Sequence, residues 1–117
     1  MSILPIVTYN DQVLRAETKP VNEFSDEIVT LINNMIETMY NSDGVGLAAP
    51  QIGESLKIFV MDGDPVLDED EEKLGPMVFI NPEIVNSSDK KVSMDEGCLS
   101  IPEVREKVTR PDTITIR

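Results

Sequence analysis

Residues 24–44 have the sequence FSDEIVTLINNMIETMYNSDG, and the spacing of their apolar side chains predicts the main helix of the fold. These side chains recur every three or four positions and therefore share one helix face; they are Phe24, Ile28, Leu31, Ile32, Met35, Ile36 and Met39. Ser25 is a suitable N-cap, and Asp26 and Glu27 favour the first turn through the helix dipole. We expect the helix to end near residues 41–44, where small polar residues and a glycine interrupt the pattern.

Short strands are expected after this helix. Apolar runs predict buried strands at residues 56–61 and 77–80. Further short strands are expected at residues 91–94, 104–108 and 113–117. The acidic stretch at residues 62–75 predicts an exposed loop, and the turn-forming residues at 5–20 predict an extended arm or a short turn.

The last predicted strand alternates Ile114 and Ile116 with polar residues and stops at Arg117 without turn residues. We therefore expect this strand to lack a downstream partner and the chain to be a truncated piece of a longer domain. An open strand edge of this kind is a route to self-association.

Composition and charge disfavour several classes of function. The 117 residues include 22 acidic and 10 basic side chains, and the net charge of −12 opposes contact with a phosphate backbone. Nucleic acid is therefore not expected as a directly bound ligand. The N-terminus has neither the basic region of a signal peptide nor a long apolar span, so we expect a cytoplasmic protein with no membrane partner.

The chain offers few of the residue types that carry catalysis. It has one cysteine, Cys98, and no histidine. A single cysteine cannot form an internal disulfide, which fits a reducing compartment. Because histidine is the most frequent general base and nitrogen ligand, its absence restricts both nucleophilic and metal chemistry.

The first candidate site is the stretch GVGLAAPQ at residues 44–51. Its glycines and alanines allow a backbone to approach a ligand closely. The stretch also matches the Gly-x-Gly-x-x-Ala pattern of dinucleotide sites, but that pattern needs a strand before it and a helix after it. Here a helix precedes, while Pro50 and Gly53 follow, so nucleotide binding is disfavoured. If this stretch has no functional role, it is a tight turn whose small residues pack under the helix.

The second candidate site is the stretch EGCLS at residues 96–100. A lone cysteine is more often an inert small hydrophobe than a catalyst. A nucleophilic Cys98 would need a base, and the usual histidine is missing. A thiolate beside Gly97 could bind a metal, but a zinc or iron site needs about three protein ligands, and the chain has no second cysteine and no histidine.

Taken together and in this order, the two stretches resemble the first and second motifs of the peptide deformylase family. The similarity extends to residues 6–14, the helix leading to Gly44, residues 79–82 and residues 101–111. The third family motif, His-Glu-x-x-His on a C-terminal helix, is absent from this sequence. The resemblance implies an α+β fold with an N-terminal helix packed against short, mostly antiparallel strands. It also implies that residues 1–117 form a single, truncated deformylase domain.

The resemblance implies a metal-dependent hydrolase that removes the formyl group from formyl-methionyl nascent polypeptides. In the family a divalent metal, ferrous iron or a substitute such as zinc or nickel, is held by the motif cysteine, here Cys98, and by the two histidines of the third motif. The glutamate between those histidines moves the proton and has no counterpart here. This chain by itself is therefore expected to bind metal weakly or not at all and to be inactive.

The resemblance also implies roles for residues around the metal ligand. The side-chain amide of Gln51 and the backbone N–H of Leu99 would donate to the developing oxyanion. Glu96 would orient the site through hydrogen bonds rather than act as the base. Cys98 itself is expected in a partly exposed groove.

Several residues are implied to contact the peptide substrate: Gly44, Val45, Gly46, Met94, Gly97 and Arg105. Backbone groups near Val45 and Gly46 would pair with an extended peptide as an added strand. Val45 and Met94 would form walls of the pocket for the formylmethionine side chain, and Arg105 would face the substrate.

The expected partners are the formyl-methionyl peptide and, through the family, nascent chains associated with the ribosome. Two alternatives stay open: a non-catalytic peptide-binding module that keeps the groove without the metal, and a plain structural domain. A His-Glu-x-x-His sequence encoded beyond Arg117 would favour the truncated enzyme, whereas a stop codon there would favour another interpretation.

Overall fold

The computed structural model describes residues 3–8, 10–63 and 75–117, with residue 103 described by its backbone only. In these ranges the chain forms one α-helix, α1 (Asp26–Asn41), and 3-10 helices at Gln12–Leu14 and Ala49–Ile52. The strands in the same ranges are β1 (Gly46–Ala48), β2 (Ile58–Asp62), β3 (Pro76–Ile80), β4 (Ile84–Ser87), β5 (Lys91–Cys98), β6 (Ile101–Pro111) and β7 (Ile114–Ile116). None of the described helices is long and apolar enough to cross a membrane.

The ends of α1 follow from its sequence. The Oγ of Ser25 accepts a hydrogen bond from the N–H of Ile28 at 3.3 Å and caps the first turn. At the other end, the N–H of Ser42 donates to the last carbonyls of the helix. Asp43 then adopts a φ of 56°, in the left-handed region, and turns the chain towards β1. The predicted helix, its cap and its end are confirmed.

One face of α1 supplies the centre of the core. Met35 and Met39 are fully buried against Leu47 and Val60 of the adjacent sheet. Other residues of the predicted stripe pack at the edge of this cluster: Ile28, Leu31, Ile32 and Ile36. Phe24 does not join them and is 74% exposed. It precedes the N-cap, where the chain no longer follows the helical period.

The described strands form antiparallel pairs. In the first sheet β2 lies between β1 and β3, and the rings of Phe59 and Phe79 stack across the β2–β3 pair with centroids 4.5 Å apart. β5 and β6 form a hairpin, and β4 pairs with β7. A parallel bridge between Lys19 and Leu56 attaches the N-terminal arm to this framework. The expected α+β fold, with a helix on mostly antiparallel strands, is confirmed.

The structure differs from the sequence predictions mainly in the lengths and number of strands. β5 and β6 are longer than predicted because the two strands complete each other's hydrogen bonds from Lys91 to Cys98. β1 and β4, of three and four residues, were not predicted at all. The acidic loop predicted at residues 62–75 overlaps the end of β2, and its residues 64–74 lie outside the described residues.

The expectation that the last strand would remain open is wrong for one of its edges. β7 pairs with β4 in antiparallel register, with Ile116 opposite Ile84. Next to it, the backbones of Arg117 and Glu83 exchange two hydrogen bonds, and the Arg117 guanidinium contacts the Glu83 carboxylate at 3.1 Å. The partner lies earlier in the chain, so a search for downstream partners could not find it.

Met39→Ala is expected to lower the free energy of unfolding by about 2–5 kcal/mol, because it removes a fully buried side chain and leaves a cavity. Val29→Ala is the matched control, since Val29 lies on the same helix but is 50% exposed, and it should change stability by less than about 0.5 kcal/mol. Urea denaturation followed by circular dichroism measures both. Equal losses of stability in the two variants would show that Met39 is not part of the core.

Candidate functional site

The two motif segments meet where the helix and first sheet adjoin the β5–β6 hairpin. Residues 44–51 run from the end of α1 through β1 into the 3-10 helix Ala49–Ile52. Residues 96–100 form the end of β5 and the turn into β6. The Gln51 side chain contacts Cys98 and Ser100 directly, although the two segments are far apart in the sequence.

The carboxamide of Gln51 is oriented by its hydrogen bonds. Its Oε1 accepts a hydrogen bond from the backbone N–H of Ala48 at 2.9 Å. Because a backbone N–H can only donate, the oxygen must face Ala48 and the amino group must face the hairpin. There Nε2 lies 3.3 Å from Ser100 Oγ and 3.5 Å from Cys98 Sγ. The N–H of Val7 also donates to the Gln51 carbonyl at 2.8 Å, which ties the N-terminal arm to this position.

Cys98 is exposed and lies between two surface grooves. It ends β5 and stands opposite Ile101, with only Leu99 and Ser100 in the turn between them. One groove, of about 270 Å³, is lined by Leu14, Arg15, Gln51, Cys98, Ser100 and Ile101. The other, of about 190 Å³, is mainly apolar and follows the hairpin; its lining residues are Glu96, Gly97, Cys98, Ile101, Val104, Glu106 and Val108. The thiol is therefore accessible from both sides of the turn.

Leu99 is held in place by packing against the first motif. Its side chain is half-buried at the edge of the core, and a Cβ added to Gly44 would lie only 2.8 Å from Leu99 Cδ1. Gly44, expected to contact the substrate, is thus placed against Leu99. In the part of the chain that the structure describes, the N–H of Leu99 donates no hydrogen bond. The position of this N–H is therefore set by the packing of its own side chain.

β1 is an edge strand with one side open among the described residues. The N–H of Asp62 donates to the carbonyl of Val45 at 2.9 Å, and Leu47 stands opposite Val60. Backbone groups alternate in direction along an antiparallel strand, so the N–H and C=O of Gly46 point away from β2. The Val45 side chain is 63% exposed beside this open edge.

One face of the hairpin is polar, and the other is mainly apolar but also carries Glu96 and Glu106. Val108 stands opposite Met94, which is 59% exposed, on the face that carries the apolar groove. On the polar face, a hydrogen bond joins the hydroxyls of Ser93 and Thr109 at 2.7 Å. Arg105 stands opposite Gly97, and a Cβ at Gly97 would touch its side chain at 3.5 Å. Arg105 thus lies beside Gly97 rather than among the residues lining the groove.

Glu96 forms a two-point ion pair with Arg110. The Nε and Nη2 atoms of Arg110 donate to the two carboxylate oxygens of Glu96 at 2.7 and 2.6 Å. These hydrogen bonds hold the pKa of the Glu96 carboxyl below its usual range and raise the pKa of Arg110. The pair joins β5 to β6 beside the apolar groove. Arg110 and Ser100 were assigned no role from sequence, because their contacts depend on how the strands pair.

The described residues supply only part of a metal site. Cys98 is a suitable thiolate ligand. However, residues 3–8, 10–63 and 75–117 contain no group of three or more His, Cys, Asp or Glu side chains that could hold a metal, and the sequence has no histidine. The donors among the described residues therefore do not form a complete metal centre.

The helix on antiparallel strands and the two joined motifs define an α+β protein. The family model for polypeptide deformylase matches residues 3–117. The chain belongs to the polypeptide deformylase family.

Individual relatives agree with this assignment. A peptide deformylase of Salinibacter ruber is 53% identical over 120 residues, covering 98% of this chain and 62% of that protein, so the chain spans less than two thirds of its relative. The crystal structure of peptide deformylase from Thermotoga maritima matches with a TM-score of 0.88 at 41% identity, covering 99% of this chain and 73% of that one. The crystal structure of peptide deformylase from Ehrlichia chaffeensis in complex with actinonin matches with a TM-score of 0.90 at 39% identity. The match covers 99% of this chain and 67% of that one.

Gly44→Ala is expected to lower the free energy of unfolding by about 1–3 kcal/mol, because the new Cβ would force Leu99 to move. Gly46→Ala is the matched control: its Cβ would meet only the Val60 carbonyl at 3.6 Å, and its effect should stay within about 0.5 kcal/mol. Urea denaturation gives the energies, and the methyl resonances of Leu99 report the movement. A Gly44→Ala chain with unchanged Leu99 resonances would refute the packing argument.

Glu96→Gln is expected to weaken the dependence of stability on pH. The paired carboxylate, with its lowered pKa, stabilises the fold above the unfolded-state pKa of glutamate, about 4.3, and this contribution is lost as pH falls through the lower folded-state pKa. Urea midpoints at about pH 7 and about pH 3 should thus differ more in the wild type than in Glu96→Gln. Glu23→Gln, which removes an exposed carboxylate with no ion pair among the described residues, should behave as the wild type. The same pH dependence in all three chains would contradict this role of the pair.

Proposed function

We propose that the protein is a peptide deformylase and that this chain provides the oxyanion-binding side and one metal ligand of its site. The substrate class is N-formylmethionyl peptides, presented by nascent chains of cytoplasmic ribosomes. The supporting observation is the fixed direction of Gln51 Nε2 towards Cys98 in a chain of the deformylase family.

Two donors in this chain suit a developing oxyanion. Gln51 Nε2 lies beside Cys98, and the N–H of Leu99 directly follows Cys98 in the turn. Hydrogen bonds orient Gln51, and packing against Gly44 holds Leu99, so both donors need little reorganisation when negative charge develops on the formyl oxygen. Such a donor contributes about 3 kcal/mol to transition-state stabilisation.

The open edge of β1 suits an extended peptide. The outward N–H and C=O of Gly46 can pair with the peptide backbone as in strand addition, which gives affinity independent of most side chains. The exposed side chains of Val45 and Met94 are suited to contact the methionine side chain, and Gly44, Gly97 and Arg105 complete the set of expected substrate residues. The actinonin complex of the Ehrlichia relative supports a ligand site in this fold.

The metal part of the proposal is limited to one ligand. Cys98 would provide a thiolate to a divalent metal, with ferrous iron expected and zinc or nickel as substitutes. The other ligands would come from a His-Glu-x-x-His segment that these 117 residues do not contain. The chain alone should therefore bind metal weakly and have no useful activity.

A second candidate function is a non-catalytic peptide-binding module. The open edge of β1 and the accessible grooves favour it, since both are present although the metal donors are incomplete. It differs from the first proposal in predicting peptide binding without turnover under all conditions.

Formate release from a formyl-Met peptide with added ferrous iron or nickel tests the proposal. We expect no useful turnover by the 117-residue chain and clear turnover once it is extended by a deformylase C-terminal segment with His-Glu-x-x-His. In the extended chain Cys98→Ala should abolish activity. Gln51→Leu should lower kcat by about 100–1,000-fold, whereas Gln12→Leu, at the other glutamine of the sequence, should not.

Three results would count against the assignment. Robust turnover by the 117-residue chain, or undiminished turnover by Cys98→Ala, would show that the ligand has been misassigned. Peptide binding without any turnover by the extended chain would favour the binding module.

A further inference from the structure

Ser100 has a buried hydroxyl directly beside an exposed thiol. It is 2% exposed, although Cys98 two positions earlier lies on the surface. A buried hydroxyl is costly unless it is hydrogen-bonded. The other buried polar residue of the described chain, Thr38, has a structural explanation, since it accepts from the N–H of Leu4 and donates to the carbonyl of Asn34. The partner of Ser100 is instead Gln51, at 3.3 Å.

The hydrogen bond to Ser100 fixes the second end of the Gln51 carboxamide. The hydrogen bond from Ala48 to Oε1 holds one end of the group but leaves its plane able to tilt about that point. A second hydrogen bond, from Nε2 to Ser100 Oγ, holds the other end. Together with the covalent bond to Cγ, these two separated hydrogen bonds fix the plane of the rigid amide group.

The two N–H groups of Nε2 also have different hydrogen-bond acceptors. A primary amide has two donors on one nitrogen. Ser100 accepts one of them at 3.3 Å, and the second is donated to Cys98 Sγ at 3.5 Å. The hydroxyl thereby selects which direction the remaining donor takes.

We propose that Ser100 is a positioning residue for deformylation: its hydroxyl accepts one N–H of Gln51 and so aims the other at the place where the oxyanion develops. The proposal rests on the deformylase function proposed above. Ser100 itself does not touch the substrate; it acts through Gln51. Electrostatic stabilisation depends on donors that are already oriented before charge develops, so a carboxamide held at one end only would be a weaker donor.

The first test does not depend on activity. In the 117-residue chain, the side-chain amide protons of Gln51 should exchange slowly with solvent, and Ser100→Ala should increase their exchange rate severalfold. Nitrogen-15 NMR can follow them, with Gln51→Leu to identify the signals. Ser93→Ala is the control, because its hydroxyl is paired with Thr109 on the hairpin and should leave Gln51 unaffected. Unchanged Gln51 exchange in a folded Ser100→Ala chain would overturn the proposal.

The second test uses kinetics of the extended enzyme. Ser100→Ala should lower kcat about tenfold, the effect of losing roughly one neutral hydrogen bond, and should change KM less than about twofold. In a Gln51→Leu background, Ser100→Ala should have no further effect, because the group that it positions is gone. Equal losses of kcat in both backgrounds would show that Ser100 acts independently of Gln51.

The two tests separate this proposal from the proposed function. If the extended chain does not deformylate, the exchange experiment still decides whether Ser100 orients Gln51. If Ser100→Ala leaves both the exchange rate and kcat unchanged while Gln51→Leu lowers kcat strongly, the deformylase function stands and the positioning role of Ser100 is wrong.

Discussion

The contact between Leu99 and Gly44 is the constraint on which the arrangement of the candidate site depends. The β5–β6 hairpin makes few contacts with the other described elements apart from those at its turn. Leu99 inserts at the edge of the core where Gly44 has no side chain, and Gln51 adds hydrogen bonds next to it. A Cβ at position 44 would meet the end of the Leu99 side chain and force that side chain to shift.

The sequence predicted the elements whose formation depends on local signals. The period of α1 and its Ser25 cap are encoded within one continuous segment, and the apolar runs of β2 and β3 identify buried strands without knowledge of their partners. β1 is different, because Gly46 has a low preference for strands, and only pairing with β2 makes it extended. The same holds for the end of β5, where Asp95, Glu96 and Gly97 are poor strand formers held by β6.

The candidate site was predictable as two segments but not as a set of contacts. Motif similarity indicated Gln51, Cys98 and Leu99 but could not reveal which atoms meet. The pairing of Glu96 with Arg110 depends on the register of β5 and β6, which changes at Gly97 and Cys98. Strand register is a property of the folded pair, so periodicity in one strand cannot provide it.

The polar groups beside the thiol differ in whether they are free to donate a hydrogen bond or to accept a proton. Glu96 is the acidic residue nearest to Cys98 in the sequence, yet both of its oxygens accept hydrogen bonds from Arg110 and its pKa is lowered. A carboxylate engaged in this way is a weak base and cannot readily take a proton from water at neutral pH. A second polar group at the thiol, the Gln51 amide, is a neutral donor that does not titrate. Of these two groups, the Gln51 amide can thus donate a hydrogen bond to a negative charge, whereas the Glu96 carboxylate is already engaged by Arg110.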